Sequence, residues 1–243
     1  MATKLGSVVG YRSGIYNGYK VIGTQTLGLR GLVLWLKFNE GSGNIAYDSS
    51  FYNNHGTIYG ATWTDGKFGK ALSFDGVDDY VEIPDFSGVN DQITITAWVF
   101  LPTKDQPTNY PPILEKFENW GNRIWLNLIT TSEKVHLGYA LDGQDWRFIS
   151  TSIDYNRWVF VAGVVNGRKM KIYIDGLLKI EGQHEYDFDW ASINAPIRMG
   201  KGLDKRILNG TIDEVRIFNR ALSENEIKML YYNRIGAVPS KTI

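Results

Sequence analysis

From Trp158 to Ile180 the chain turns back on itself twice. Trp158 to Val165 is a near-continuous apolar run, closed by Asn166-Gly167. That dipeptide favours a type I′ hairpin turn, because both central residues of such a turn take positive φ. Lys169 to Ile174 returns, and Asp175-Gly176 turns again into Leu177-Leu178-Lys179-Ile180. Serial hairpins pair antiparallel, and such sheets bury their apolar faces by packing on one another. Alternation is clear in Arg123 to Ile129. Ile124, Leu126 and Leu128 fall on one face, and Arg123, Trp125 and Asn127 on the other.

The chain closes on a second strong pattern. Ile212, Val215, Ile217 and Phe218 are interleaved with Asp213, Glu214, Arg216 and Asn219, which reads as a strand with one buried face. Ser223-Glu224-Asn225-Glu226 is a capping box. It opens a short helix through Ile227, Met229, Leu230 and Tyr231, expected near residues 223–232. The expected fold is all-β: a two-sheet antiparallel jelly-roll sandwich with one short C-terminal helix.

A chain of 243 residues buries a large core without staples. Nothing between residues 32 and 234 reads as a linker, so one sandwich is expected there. Residues 1–31 stand apart as an N-terminal arm or an added edge strand, and 235–243 form a tail. The arm is a candidate contact for a homo-oligomer. Lys+Arg and Asp+Glu both number 26, so no basic excess speaks for nucleic acid. There is no cysteine, which excludes a disulfide framework and a thiolate metal site. No apolar run reaches transmembrane length, and Met1 to Ser7 lacks the apolar core of a signal peptide. No membrane insertion and no signal peptide in this chain are expected.

Several ordered motifs resemble the laminin G-like domains of the concanavalin A-like lectin/glucanase superfamily, over about residues 32 to 234. They are Leu34-Trp35-Leu36-Lys37-Phe38-Asn39-Glu40-Gly41, Asp48-Ser49-Ser50 with Asn53-Asn54-His55-Gly56-Thr57, Gly69 to Val81, Thr94 to Val99, Lys171 to Gly176, and Gly210 to Ser223. The resemblance implies a jelly roll and a glycan or glycoprotein partner. Such a domain is expected to be extracellular or at the cell surface, and the plain Met start, the lack of a signal sequence and the extra N-terminal arm add a virion as an expected location. The resemblance places Trp35, Trp98 and Trp158 in the core. It also implies a structural calcium where the first strand's turn meets the last core strand. The matching oxygen donors are Asp213, Asp48, Asn54, Glu40, Asp75 and the Gly76 carbonyl. The alternative is that these groups bond turn backbones, as Asp and Asn often do.

Glucanases of that superfamily carry E-x-D-x-E on one strand, where alternate positions aim the carboxylates into one cleft. Retaining hydrolysis needs two carboxyls about 5–5.5 Å apart. No such triplet occurs, and neither Glu115-Lys116-Phe117-Glu118 nor Asp187-Phe188-Asp189 supplies it. His55, His136 and His184 form no metal-binding pair, and there is no G-x-S-x-G turn. The expectation is a non-catalytic protein.

Sugar binding needs an exposed aromatic ring beside convergent polar groups. Arg123, Trp125 and Asn127 share one strand face, and His136, Trp120, Trp146, Trp190, Tyr110 and Arg147 lie nearby in sequence or in loop-like stretches. Trp125 is expected to stand exposed and to stack on the sugar. The reading is a non-catalytic carbohydrate-binding or adhesive module. The alternatives are a virus or phage structural or attachment protein on the same sandwich, and a degenerate polysaccharide-active enzyme.

Overall fold

The structure, a computed structural model, describes residues 14–16, 19–21, 29–129, 133–141, 143, 146–185, 187–202 and 206–232. β1 (Gly14–Tyr16) and β2 (Tyr19–Val21) pair with each other. The rest of the arm up to residue 28 and the tail 235–243 lie outside the described residues, as does the oligomer contact expected of the arm.

The sandwich begins with β3 (Leu32–Leu36), β4 (Ile45–Ala46), β5 (Gly56–Tyr59), β6 (Thr62–Asp65), β7 (Lys70–Asp75) and β8 (Tyr80–Ile83). It continues through β9 (Gln92–Phe100), β10 (Pro112–Asn119), β11 (Asn122–Ile129), β12 (Lys134–Ala140) and β13 (Arg147–Ser152). β14 (Trp158–Asn166), β15 (Lys169–Ile174), β16 (Leu177–Gln183), β17 (Ile197–Met199), β18 (Asn209–Phe218) and α1 (Glu224–Tyr231) complete it. The front sheet runs β13-β12-β11-β10-β17-β8-β5-β4. The back sheet runs β16-β15-β14-β9-β18-β7-β6, and β3 also pairs with β18. The pairs are antiparallel, as the hairpin pattern requires.

The continuous apolar run of β14 has a simple cause. Val159, Val161 and Val165 face the core between the sheets. Phe160, Ala162 and Val164 face outward but are covered, with Trp98 and Phe218, by Leu222 and by Ile227 and Leu230 of α1. The strand is buried on both faces, so it shows no alternation. The helix starts where its capping box is satisfied. Ser223 N donates to Glu226 Oε2 at 2.9 Å, and the Ser223 hydroxyl accepts from Glu226 N at 3.4 Å.

The β14–β15 turn differs from the expectation by one residue. Asn166 still pairs with Lys169, so Gly167-Arg168 forms the loop. Gly167 alone has positive φ there, at +56°, which is the II′ arrangement rather than I′. At the next turn Asp175 and Gly176 both have positive φ, +51° and +76°.

The acidic residues of β18 hold the fold. A bulge puts Glu214 at φ +54° and turns Asp213 and Glu214 off the regular alternation. Asp213 Oδ2 accepts from Phe68 N at 2.9 Å and so fastens the turn before β7. Glu214 Oε2 accepts from Trp35 Nε1 at 2.8 Å and pairs with Arg216, whose guanidinium lies 4.5 Å from the Trp35 ring centre.

Candidate ligand-binding face

Strand register lays one row of side chains straight across the outer face of the front sheet. Phe148, Gly138, Trp125, Glu115, Arg198, Glu82 and Thr57 are successive cross-strand neighbours. Arg123 and Phe117 flank the row on one side, and Asn127 and His136 on the other. Two acids in the row are occupied by guanidinium groups. Glu115 Oε2 lies 2.6 Å from Arg206 Nη2, and Glu82 Oε2 lies 2.6 Å from Arg198 Nη2. With its amide oxygen turned to Arg206, Asn127 accepts from Nη1 at 2.8 Å.

The expectation that Trp125 stands exposed is corrected. Its side chain is 1% exposed, because Gly138 opposite it has no side chain and the indole lies down across β12. Arg123, Asn127 and His136 are buried with it. Arg123 is roofed by rings: its guanidinium carbon lies 4.3 Å from the ring centres of both Trp125 and Trp146, and 4.8 Å from that of Trp120. Trp190 is corrected more sharply. It is in the core, with Lys116 Nζ 4.4 Å from its ring centre and Phe86 beside it. Its Asp and Ala neighbours look like a loop, but the loop folds inward over the end of the sandwich.

Trp120 and Trp146 do reach solvent, at 51% and 50% exposure. Their rings are 5.6 Å apart and inclined by only 9°. Tyr110 is exposed and near His136, with ring centres 6.2 Å apart. Arg147 faces the other way, toward Tyr139. Sequence reasoning missed Phe148, Glu115 and Arg206. Phe148 was findable, since it lies two residues beyond Trp146 on the same strand face. Gly138 within the strand Lys134–Ala140 was the signal for close approach by a neighbour. Arg206 comes from a distant loop, and nothing local announces it.

His136 is the least satisfied group here. Both ring nitrogens are buried and lack a hydrogen-bond partner. Phe148 meets it edge-on at 4.3 Å and Trp125 at 5.7 Å. Burial, helped by the positive charge of Arg123, pushes its pKa down to about 4. The imidazole is therefore neutral at neutral pH.

Of the implied calcium donors, Asp48 and Asn54 meet, with Asn54 N donating to Asp48 Oδ2, and Asp75 and Gly76 are neighbours in one turn. The Asp48 carboxylate accepts from Trp35 N, Ser50 N, the Ser50 hydroxyl and Asn54 N. Asn54 Nδ2 donates to the Val33 carbonyl, and Glu40 Oε1 accepts from Tyr47 N. Asp48 and Asn54 thus tie their loop to β3, and Glu40 bonds the backbone ahead of Asp48. Asp213 is buried beneath the turn that it fastens, and burial, with Glu214 adding like charge, pushes its pKa up to about 7. Among the described residues, the one group of three acids with ligand oxygens within 4.8 Å of one another is Asp75, Asp78 and Asp79. Gly76 lies in that turn at φ +80°. Burial, with Asp75 and Asp78 adding like charge, raises the Asp79 pKa. Among the described residues no helix is long and apolar enough to cross a membrane.

A family model described as concanavalin A-like lectin/glucanases superfamily, of the laminin G type, matches residues 75–228. A search of curated proteins finds no match. Among solved structures, domain 4 of AbnA, a GH43 extracellular arabinanase from Geobacillus stearothermophilus solved in complex with arabinotriose, aligns with a TM-score of 0.67 and 23% identity. It covers 82% of this chain and 98% of that one. The binding domain of Paraclostridial Mosquitocidal Protein 1 aligns with a TM-score of 0.67 and 19% identity, covering 84% of this chain and 52% of that one. The binding domain of botulinum neurotoxin serotype D gives 0.67 and 16%, with the same coverages of 84% and 52%. This chain thus spans about half the length of either toxin domain. At these identities the likeness is one of fold.

Proposed function

The chain belongs to the concanavalin A-like lectin/glucanases superfamily, and from that membership we propose that it is a non-catalytic carbohydrate-binding module. The observation that carries the reading is the pair Trp120 and Trp146, half-exposed, near-parallel and set over the Arg123 guanidinium. Apolar C–H faces of a sugar stack on such rings, while polar groups alongside read its hydroxyls. The AbnA domain solved with arabinotriose makes arabino-oligosaccharides a natural first probe. Catalysis is left out of the proposal because Glu115 and Glu82, the acids of the central row, are each held by an arginine. An extracellular, cell-surface or virion setting belongs to the same proposal.

A second reading has one observation in its favour. Two of the similar structures are named as binding domains of a mosquitocidal protein and a neurotoxin, and a particle attachment protein that docks a glycoprotein is the second reading. A glycan array that includes arabinotriose, followed by tryptophan fluorescence titration, tests the first reading. Binding that is lost in Trp120→Ala or Trp146→Ala supports it. An array without a hit, or a hit indifferent to both substitutions, refutes it.

For a divalent cation, the turn Asp75-Gly76-Val77-Asp78-Asp79 is where we place the site. Calcium takes hard oxygen donors, and three carboxylates converge there. A cation would also offset the burial and the like charges of Asp75 and Asp78 that together raise the Asp79 pKa.

A further inference from the structure

His136 has no evident structural reason to be a histidine. It is 5% exposed, and both ring nitrogens are buried without a partner. Buried polar groups are normally hydrogen-bonded, and leaving one unpaired destabilises the fold. An apolar ring of the same size would suit this position better in the free protein. The charged group acting on it is Arg123 of β11, and its neighbours Trp125 and Asn127 of β11, Phe148 and Ser150 of β13 and Tyr110 are uncharged.

Little separates the imidazole from solvent. Two of the rings against it, Phe148 and Tyr110, are themselves nearly half-exposed. Tyr110 also holds φ at +62°, a conformation that few residues other than glycine adopt. A rotation of either ring would open the histidine to a ligand that extends from the Trp120–Trp146 pair across Trp125, which touches Trp146 on one side and His136 on the other. Exposed aromatic side chains make such rotations quickly.

We propose that His136 is the hydroxyl-reading residue of this face, and that the ligand is a neutral saccharide with a hydroxyl reaching a ring nitrogen once Phe148 or Tyr110 turns aside. The inference rests on the carbohydrate reading above and narrows it. A neutral imidazole presents one N–H and one lone pair. A sugar hydroxyl can serve either, as acceptor or as donor. A carboxylate at this point accepts only, so it would serve the N–H alone and would meet the lone pair with its charge, whereas a hydroxyl fits both.

The test uses the full chain with ¹⁵N-labelled histidine. The signals of His136 are told from those of His55 and His184 by their loss in His136→Phe. The probes are arabinotriose, cellotriose and galactobiose as neutral saccharides and trigalacturonate as the acidic one, with tryptophan emission followed in parallel. A neutral probe is expected to move both the emission and the His136 nitrogens. His136→Phe is expected to melt no lower than wild type and to bind that probe roughly tenfold more weakly, a change equivalent to about 1.4 kcal/mol. His136→Gln, which keeps a donor and an acceptor, should recover part of the loss. If emission moves but the His136 nitrogens do not, or if His136→Phe binds as wild type does, the inference fails and the carbohydrate reading stands. A response to trigalacturonate alone overturns the neutral class. Silence of both signals with every probe takes down the carbohydrate reading and this inference together.

Discussion

The indole of Trp125 occupies the space that a β-carbon on Gly138 would need: that atom would lie 2.4 Å from Cζ2 of the ring and 2.5 Å from the Arg147 carbonyl oxygen. The two residues are directly opposed on β11 and β12. Close approach is what lets the ring lie along the sheet. Gly138→Ala should therefore lift the indole from its seat. Overpacking of this kind typically costs about 1–3 kcal/mol. Urea denaturation should show the loss, and tryptophan emission should move to the red. A wild-type midpoint and spectrum would mean that the ring has room to shift.

The four tryptophans expected to bind sugar separate into two pairs. Trp125 and Trp190 are enclosed, so truncating either to alanine should cost about 3–5 kcal/mol of stability. Trp120 and Trp146 are half-exposed, and Trp120→Ala or Trp146→Ala should shift stability far less. Their loss should appear in affinity instead, on the order of 1–3 kcal/mol for each ring by analogy with stacking on nucleobases. Denaturation and titration of all four variants with a saccharide found on the array give the comparison. Equal stability losses across the set would contradict the division.

The fold was legible because its signals are local. The Asp175-Gly176 turn, the Ser223–Glu226 capping box and the alternation of Ile124, Leu126 and Leu128 each depend on neighbours in the chain, and each stands in the structure. The assignment of Trp125 to the face opposite that apolar row was also correct. What the pattern of one strand could not supply was the content of the strands beside it. Trp125 is buried because of Gly138, and Asn127 is engaged because Arg206 arrives from a loop some eighty residues further on. Trp190 was misread for the same reason, since an irregular segment with polar neighbours can still fold into a core. The alternative to calcium for Asp48, bonding to backbone, matches its contacts: both its oxygens accept, from Trp35 N, Ser50 N, the Ser50 hydroxyl and Asn54 N.

Calcium is expected to raise the melting temperature, and a chelator to lower it. Binding to the native state alone contributes roughly 2.7 kcal/mol at a hundredfold excess over Kd. Asp78→Asn, at an exposed position of the acidic turn, should remove the response. Asp48→Asn should weaken the fold, because its turn depends on the carboxylate, yet leave the response in place. A melt indifferent to calcium and to chelator rules the site out. A response that survives Asp78→Asn places the ion elsewhere.

His136 and Asp213 should contribute to the pH dependence of stability in opposite directions. For His136 the folded pKa is depressed to about 4 from 6.5. The unfolded chain thus binds more protons between those values, and stability is lost as the pH falls through that window. For Asp213 the folded pKa is raised to about 7 from 3.8. The folded chain binds more protons there, and stability is lost as the pH rises through the window. Each slope is at most about 1.4 kcal/mol per pH unit. Over the shared range the two nearly cancel, so neither is visible in the wild type. Removing one exposes the other. Relative to wild type, Asp213→Asn should gain stability with rising pH up to about 7, since an amide keeps the bond from Phe68 N without a charge to bury. His136→Phe should gain stability with falling pH down to about 4. Differences between variant and wild type, taken from urea midpoints at pH steps from 4 to 8, remove the contribution of other titrating groups. Differences that are flat, or that slope the same way in both variants, would show that at least one of these groups is not held as its burial requires.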